Sequence, residues 1–416
     1  MRILVLGSGA REHAIITSLL SEGVDHQITA APGNAGISAQ VETVGLDPTN
    51  GAVVTQYAVD NGIELVIIGP EAPLVAGVAD HLQRAHIPVF GPSKRAAQLE
   101  GSKAFAKRIM EAANVPTGRA TRAESLEQAE QAMAEYGAPY VIKADGLAAG
   151  KGVIVTDDHD AAHRHAEYWL QYGGVLVEEF LDGQEVSLFL LSDGENVLPL
   201  EPAQDYKRAL DGDEGPNTGG MGAYSPLPWL PSGFVDEVIA SVAMPTVRQL
   251  ASEGTPFVGL LYCGLIVTTS GIRVIEFNAR FGDPETQVVL PRLKTPLSAL
   301  LFAAATGGLG ALDRPEFTDD VAVTVVLASE GYPENPITGR PISGLELALD
   351  VDGVTIAHAA TALADGHFVA TGGRVLSVVA TGPSFADARA KAYEALGHIE
   401  LQGSHFRSDI ALRVAE

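Results

Sequence analysis

The chain is 416 residues long, 46% apolar and 19% charged, which suits a well-packed globule of two to four structural units and not a disordered chain. Its 27 basic and 52 acidic side chains leave a net charge of −25. Such a surface repels nucleic acid and anionic membranes, so any phosphorylated ligand must be held by local Lys, Arg, backbone amides or a divalent metal. The single cysteine, Cys263, excludes an internal disulfide and suits a reducing cytoplasm. No apolar run approaches the ~18 residues of a membrane span, and MRILVLGSG reads as a buried strand, not a signal peptide.

The first hundred residues alternate strand and helix signals. RILVLG, QITAAPG, ELVIIGP and IPVFGPS are short apolar runs closed by Gly or Pro, the pattern of parallel strands buried on both faces. Helical stretches are expected between them at Ala10 to Ser21, Thr49 to Asn61 and Leu74 to Ala85. An open parallel sheet follows, with functional loops GSGAREH, APGNAG, GPEAPL and GPS at the strand C-termini. SKAFAKRIMEAANV predicts a helix stopped by Pro116, and Glu124 to Tyr136 a second. Strands resume at PYVIKAD, GVIVTD, VLVEEFL and EVSLFLL, before a long loop from Asp211 to Pro231. Asp236 to Ser252 is expected to be helical, and FVGLLYCGLIV with IRVIEFN to form a hairpin turning at Ser270-Gly271. Beyond about residue 315 short strands, VAVTVVLAS and GGRVLSVVA, and one helix near Ser384 to Leu396 mark a third, smaller unit.

GSGAREH invites a dinucleotide reading, because Gly7-x-Gly9 between strand and helix lets the chain approach an anion at a helix N-terminus. The third glycine position is Glu12, however, and the second strand ends in Ala30-Ala31-Pro32 with no acid for a ribose hydroxyl. An NAD site is therefore disfavoured. The crevice is better suited to another phosphate or sugar, with glycines that serve only the turn as the alternative. KADGLAAGKGVIV imitates a Walker loop but separates Gly146 and Gly150 by three residues, and Lys151 precedes Gly152 where a hydroxyl is required. What remains is Lys143 on a strand and a glycine-rich hairpin. It is either a solvated surface loop or a cover for phosphates.

VIEFNARFGDPETQ favours the second. Glu276 and Asn278 are two apart on an expected strand and share a face, with Cβ atoms roughly 6.6 Å apart. They offer the hard oxygen ligands that Mg²⁺ accepts while keeping water and nucleotide phosphate. Arg280, two residues on, is placed to clamp a phosphate or an acyl-phosphate charge. VEEFLDGQE adds Glu178, Glu179, Phe180 and Leu181 at a strand end suited to an adenine, with Glu185 suited to ribose hydroxyls. In QDYKRALDGDEGPNTGGMGAYSP, Asp205, Lys207 and Arg208 supply charge, and Asn217, Thr218, Gly219 and Gly220 can present amides to a carboxylate or phosphate.

Taken in order, GSGAREHA, APGNAG, GPEAPL, QLEGSKAFAK, VIKADGLAAGKGVIV, VEEFLDGQE, QDYKR, GPNTGGMGAYSP, VIEFNARFGDPETQ and GGRVL resemble the glycinamide ribonucleotide synthetase family of ATP-grasp ligases over almost the whole chain. The resemblance implies an α/β and α+β multidomain fold: an N-terminal parallel sheet over 1–101, an ATP-grasp domain over 102–315 with a lid at about 117–185, and an α+β domain over 316–416. It implies joining of glycine to 5-phosphoribosylamine through glycyl phosphate at the expense of ATP, in purine biosynthesis. Another ATP-grasp carboxylate–amine ligase of purine metabolism is the alternative.

Carried over by residue, Lys103 and Lys143 face ATP phosphates, and Gly146, Gly150, Lys151 and Gly152 belong to the lid. Glu178, Glu179, Phe180, Leu181 and Glu185 hold the nucleoside, Glu276 and Asn278 hold Mg²⁺ or Mn²⁺, and Arg280 with Lys143 is catalytic. Gly9, Ala10, Arg11, Glu12, Pro70, Glu71, Asp205, Lys207, Asn217, Thr218, Gly219, Gly220, Asp283, Pro284, Glu285 and Thr286 surround glycine and phosphoribosylamine. A cytoplasmic monomer with no nucleic acid or membrane partner is expected. The chain departs from the family pattern at Ala10, in a shortened stretch from Asp158 to Gly174, and in GLLYCGLIV, which has no acidic metal ligand.

Overall fold

The computed structural model describes residues 1–146 and 152–416. Its N-terminal part is a parallel sheet of five strands in the order Glu42–Thr43, Gln27–Pro32, Arg2–Gly7, Leu65–Ile68, Val89–Phe90. Ile3, Leu4, Val5 and Leu6 are all fully buried, as a strand covered by helices on both faces requires. The helix expected from Leu74 to Ala85 is instead two, Glu71–Ala76 and Val78–Arg84. Gly77 between them has φ +88°, a left-handed conformation that closes the first helix and re-aims the second.

Three further sheets position the site. A four-stranded antiparallel sheet, ordered Ala120–Ala123, Val175–Glu178, Tyr140–Ala144, Val153–Thr156, packs under the helices Leu126–Tyr136 and His159–Leu170. Its separate small core includes Met133, Ile142, Ala162, Ala166 and Val177. The strand Ala120–Ala123 and the helix His159–Leu170 were not among the expected elements. That helix starts where Asp158 accepts hydrogen bonds from the Asp160 and Ala161 amides, at 2.9 and 3.2 Å.

The central sheet is ordered Val197–Pro199, Gln184–Asp193, Val258–Thr268, Gly271–Asn278, and its last two strands form the expected hairpin. Pairing runs Gly264 to Glu276 and then Leu265 to Val274, so Ile275 is a bulge that breaks the ladder. The helical region before this hairpin spans Phe234–Val238 and Met244–Ser252, joined by a π-helical turn.

The C-terminal five-stranded sheet is ordered Gln204–Asp205, Gly222–Ser225, Val321–Ala328, Arg374–Gly382, Val354–His358. Two of its strands come from the stretch before the central hairpin. The expected loop from Asp211 to Pro231 is thus largely structured, with Glu214–Asn217 paired to Arg208–Leu210 and Gly222–Ser225 buried in this sheet. GGMGAYSP reads as loop because its glycines have no strand propensity, and pairing with the apolar strand Val321–Ala328 overrides that. Among the described residues no helix is long and apolar enough to cross a membrane.

Candidate active site

Lys143 projects from the strand Tyr140–Ala144 into the junction of the two antiparallel sheets, where it is only 5% exposed. Its Nζ donates to Glu178 Oε2 at 3.0 Å and to the carbonyl of Ile275 at 3.2 Å. The bulge explains the second contact, since a residue dropped from the ladder has a carbonyl free to accept. Glu178 is shared: Lys107 Nζ lies 3.3 Å from the same oxygen and also donates to Thr117 Oγ1 and to the Gly118 carbonyl. Lys103, one helical turn before Lys107, donates to the Gly146 carbonyl at 3.2 Å. Burial depresses the pKa of both Lys103 and Lys107, while Glu276 for the first and Glu178 for the second pull back up. Three lysines therefore converge beside the start of the glycine-rich loop. Gly150 and Lys151 lie outside the described residues.

Glu276 and Asn278 occupy one face of the strand Gly271–Asn278, opposite Gly264 and Tyr262. Among the described residues neither side chain makes a hydrogen bond, so their oxygens are available to a cation. Burial works against the Glu276 carboxylate, but Lys207, Lys143, Lys103 and Arg280 overcome it and hold its pKa below the usual value. Among the described residues no cluster of three or more His, Cys, Asp or Glu is arranged to hold a metal. Two oxygen donors with room for water and phosphate fit a divalent ion such as Mg²⁺.

The strand ends at Asn278, and Arg280 lies just past it. Its Nη2 is 3.1 Å from Glu100 Oε1, and its Nε is 3.7 Å from Glu71 Oε2 in the N-terminal unit. Burial opposes the cation, but Glu100, Glu71 and Glu285 outweigh it and keep the guanidinium charged. Glu71 is in turn held ionised against burial by Arg280, Arg11 and Arg374.

Glu12 shows why the glycine pattern breaks at its position. The carboxylate folds back over its own helix start and accepts the Gly9 amide at 2.5 Å. A Cβ on Gly69 would meet Glu12 Oε1 at 2.1 Å, and one on Gly7 would meet its Cδ at 2.6 Å. An internal carboxylate thus fills the helix N-terminus where a dinucleotide would place its pyrophosphate. Arg11 reaches Glu12 and is buried, with Nε lacking a partner among the described residues.

The polar segments after the central strands meet here. A Cβ on Gly220 would strike Pro284 Cδ at 2.4 Å, which seats the GPNTGG turn on the Asp283-Pro284 loop. Arg374 fastens both, donating to Gly219 O at 2.6 Å and Asp283 O at 2.8 Å and pairing with the Asp283 carboxylate at 3.2 Å. Asp205 and Lys207 face Glu185, Glu276 and Glu285, with Lys207 bonded to Glu185. Burial together with Glu285, Glu185 and Glu276 raises the Asp205 pKa to about 8 in spite of Lys207.

Some expected contacts are engaged elsewhere. Thr286 is fully buried and its hydroxyl donates to the Gly282 carbonyl in its own turn, so it does not face the crevice. Glu285 is buried and accepts from Ser187 Oγ at 3.0 Å and Tyr262 OH at 2.9 Å. Ala10 is fully buried in the helix start. Thr218 Oγ1 bonds Lys207 O and the Gly220 amide, shaping the turn, and Asn217 pairs with Arg208. Glu179 is turned away onto Arg119, while Phe180 is 44% exposed and Leu181 half-buried beside Gly118. The Gly152 carbonyl accepts from Ala144 N and lies 3.2 Å from His165 Nε2. Pro70 caps the helix carrying Glu71. Lys107, Glu100 and Arg374 were missed as site residues. The four-residue spacing of Lys103 and Lys107 on one helix was the signal available for the first.

Residues 1–100, 101–286 and 322–413 match in turn the N domain, the ATP-grasp (A) domain and the C domain described for phosphoribosylglycinamide synthetase. Curated relatives include the phosphoribosylamine–glycine ligase of Leifsonia xyli subsp. xyli, 72% identical across 99% of this chain and 100% of the relative. That of Streptomyces coelicolor is 58% identical across 100% of both. Among solved structures, phosphoribosylamine–glycine ligase from Thermotoga maritima superposes with a TM-score of 0.85 at 33% identity, covering 98% of this chain and 100% of that one. A biotin carboxylase β,γ-ATP complex from Campylobacter jejuni, at TM-score 0.71 and 14% identity over 97% of this chain and 92% of that one, shares the fold.

Proposed function

The chain belongs to the phosphoribosylglycinamide synthetase family, and from that premise we propose that it joins glycine to 5-phosphoribosylamine, forming glycinamide ribonucleotide, ADP and phosphate in purine biosynthesis. The observation that carries the reading is the convergence of Lys143, Lys103, Glu276, Asn278 and Arg280 at one junction between the N-terminal and ATP-grasp units.

A carboxylate is a poor acyl donor because its leaving group would be oxide. In the proposed route a glycine carboxylate oxygen attacks the γ-phosphorus of ATP and ADP departs. The amine of phosphoribosylamine then attacks the carbonyl of glycyl phosphate, the bond to the phosphate oxygen breaks, and the nitrogen gives up a proton. No protein nucleophile is needed; positioning and charge neutralisation carry the catalysis. Lys103 and Lys143 hold the phosphates, and Glu178 with Lys107 braces Lys143. Gly150 and Lys151 are read with the lid loop that covers ATP, and Glu178 to Leu181 as the adenine hinge. Glu276 and Asn278 would hold Mg²⁺ or Mn²⁺, which neutralises phosphate charge when bound. Arg280 meets the acyl phosphate.

Asp205 and Glu285 offer carboxyl oxygens to the glycine ammonium, and Asp205, which holds its proton up to about pH 8 in the ligand-free site, gives that proton up as the ammonium binds. Arg11, Glu71 and the Gly219-Gly220 turn line the space for phosphoribosylamine. The protein is read as a monomer acting in the cytoplasm.

The route is tested with glycine labelled with ¹⁸O in its carboxylate. One labelled oxygen should appear in each phosphate released. Unlabelled phosphate would exclude the acyl phosphate.

A further inference from the structure

Arg280 is held by acids from two other segments, Glu100 and Glu71, and the first of them has no assigned role. Glu100 sits on the four-residue helix Gln98–Gly101, and its carboxylate is 8% exposed. Both oxygens are committed to the same short stretch. Oε1 pairs with Arg280 Nη2 at 3.1 Å, and Oε2 accepts the Ala279 amide at 2.7 Å. The next residues extend the same brace. Ser102 Oγ donates to Asp145 at 3.1 Å, and Lys103 Nζ donates to the Gly146 carbonyl at 3.2 Å. Arg280 Nε, by contrast, is buried and has no hydrogen-bond partner among the described residues. A buried guanidinium donor without a partner costs stability unless a ligand takes it up. Glu71, the other acid near Arg280, is 3.7 Å away and far more exposed, so it offers a looser second hold.

We propose that Glu100 is a positioning residue for the ligase reaction: it clamps the guanidinium of Arg280 and the backbone that carries it, so that the free Nε–H edge is aimed at the acyl phosphate. The proposal rests on the role given above to Arg280. A carboxylate is required because both oxygens must accept. A glutamine at this position can keep the Ala279 amide only by turning its own NH₂ toward the guanidinium, two donors facing each other.

The experiment compares kcat, and KM for ATP and glycine, in the full-length protein, Glu100→Gln, Arg280→Ala and the double variant. Thermal melting serves as the check on folding. Glu100→Gln is expected to lower kcat on the order of 10- to 100-fold, the usual penalty for a misplaced catalytic group, with KM for ATP unchanged. In the Arg280→Ala background the same change should cost less than about 2-fold, since the two act as a unit. Glu100→Asp, which keeps the charge but loses a methylene of reach, should fall between wild type and Glu100→Gln. It carries the test if Glu100→Gln does not fold.

Equal losses in both backgrounds would overturn the proposal, as would an effect confined to KM for ATP. If Arg280→Ala leaves kcat intact while Glu100→Gln lowers it, the role of Arg280 fails and the proposal with it. That pattern is distinct from equal losses.

Discussion

Asp205→Asn tests the electrostatics of the glycine side of the site. Burial beside Glu285, Glu185 and Glu276 lifts the Asp205 pKa from an ordinary 3.8 to about 8. The sign follows from proton binding. Between pH 4 and 8 the folded protein holds a proton that the unfolded chain has lost. This group's contribution is therefore full below pH 4 and is lost as pH rises to about 8. Four units at about 1.4 kcal/mol each set a ceiling of about 6 kcal/mol. Water reaching this half-buried carboxylate reduces it to roughly 3 kcal/mol, lost progressively as pH rises from about 4 towards 8.

Asparagine keeps the shape and removes the titration. In the ligand-free protein the melting temperature of Asp205→Asn should thus gain on wild type by a few degrees as pH rises from about 4.5 to 8. KM for glycine should rise at least about 10-fold, the loss of one charged contact to the ammonium, while KM for ATP stays put. A melting-temperature difference that is flat across this pH range would refute the electrostatic argument. An unchanged KM for glycine would remove Asp205 from the ammonium site.

Glu276→Ala should abolish metal-dependent turnover while the protein stays folded, with the melting temperature falling by a few degrees at most as the attraction to Lys207, Lys143 and Lys103 is lost; activity close to wild type would eliminate it as a ligand. Lys107→Met leaves Glu178 with Lys143 alone and unties the Thr117 and Gly118 contacts. A loss of about 2 kcal/mol by urea unfolding and a raised KM for ATP are expected, and a stable variant with normal KM would contradict the bracing role. Gly69→Ala drives a Cβ to 2.1 Å from Glu12 Oε1. It should cost at least about 2 kcal/mol, with much of this recovered in Gly69→Ala combined with Glu12→Ala; simple additivity would mean that the clash is not the cause.

What was legible in the sequence is what local chemistry dictates. The parallel strands of the first unit declare themselves as apolar runs ending in glycine, and the Val258–Thr268 and Gly271–Asn278 hairpin by its Ser-Gly turn. The shared face of Glu276 and Asn278 was legible because a two-residue spacing on a strand puts side chains on one face. The misses depend on distant partners. Gly222–Ser225 is a strand only because Val321–Ala328 pairs with it. Glu100 and Arg374 act through contacts spanning 179 and 155 residues, which no local pattern records. The Ile275 bulge, which supplies a carbonyl to Lys143, is likewise visible only once the two strands are in register. Thr286 was grouped with Asp283 and Glu285 by sequence adjacency, whereas its hydroxyl closes its own helical turn.

The most direct test of the central claim is ADP release by the purified chain with Mg²⁺, ATP, glycine and phosphoribosylamine, each withheld in turn. ADP should form only when all are present, with glycinamide ribonucleotide made in equal amount. ADP formed with another carboxylic acid in place of glycine, and none with glycine, would contradict the account.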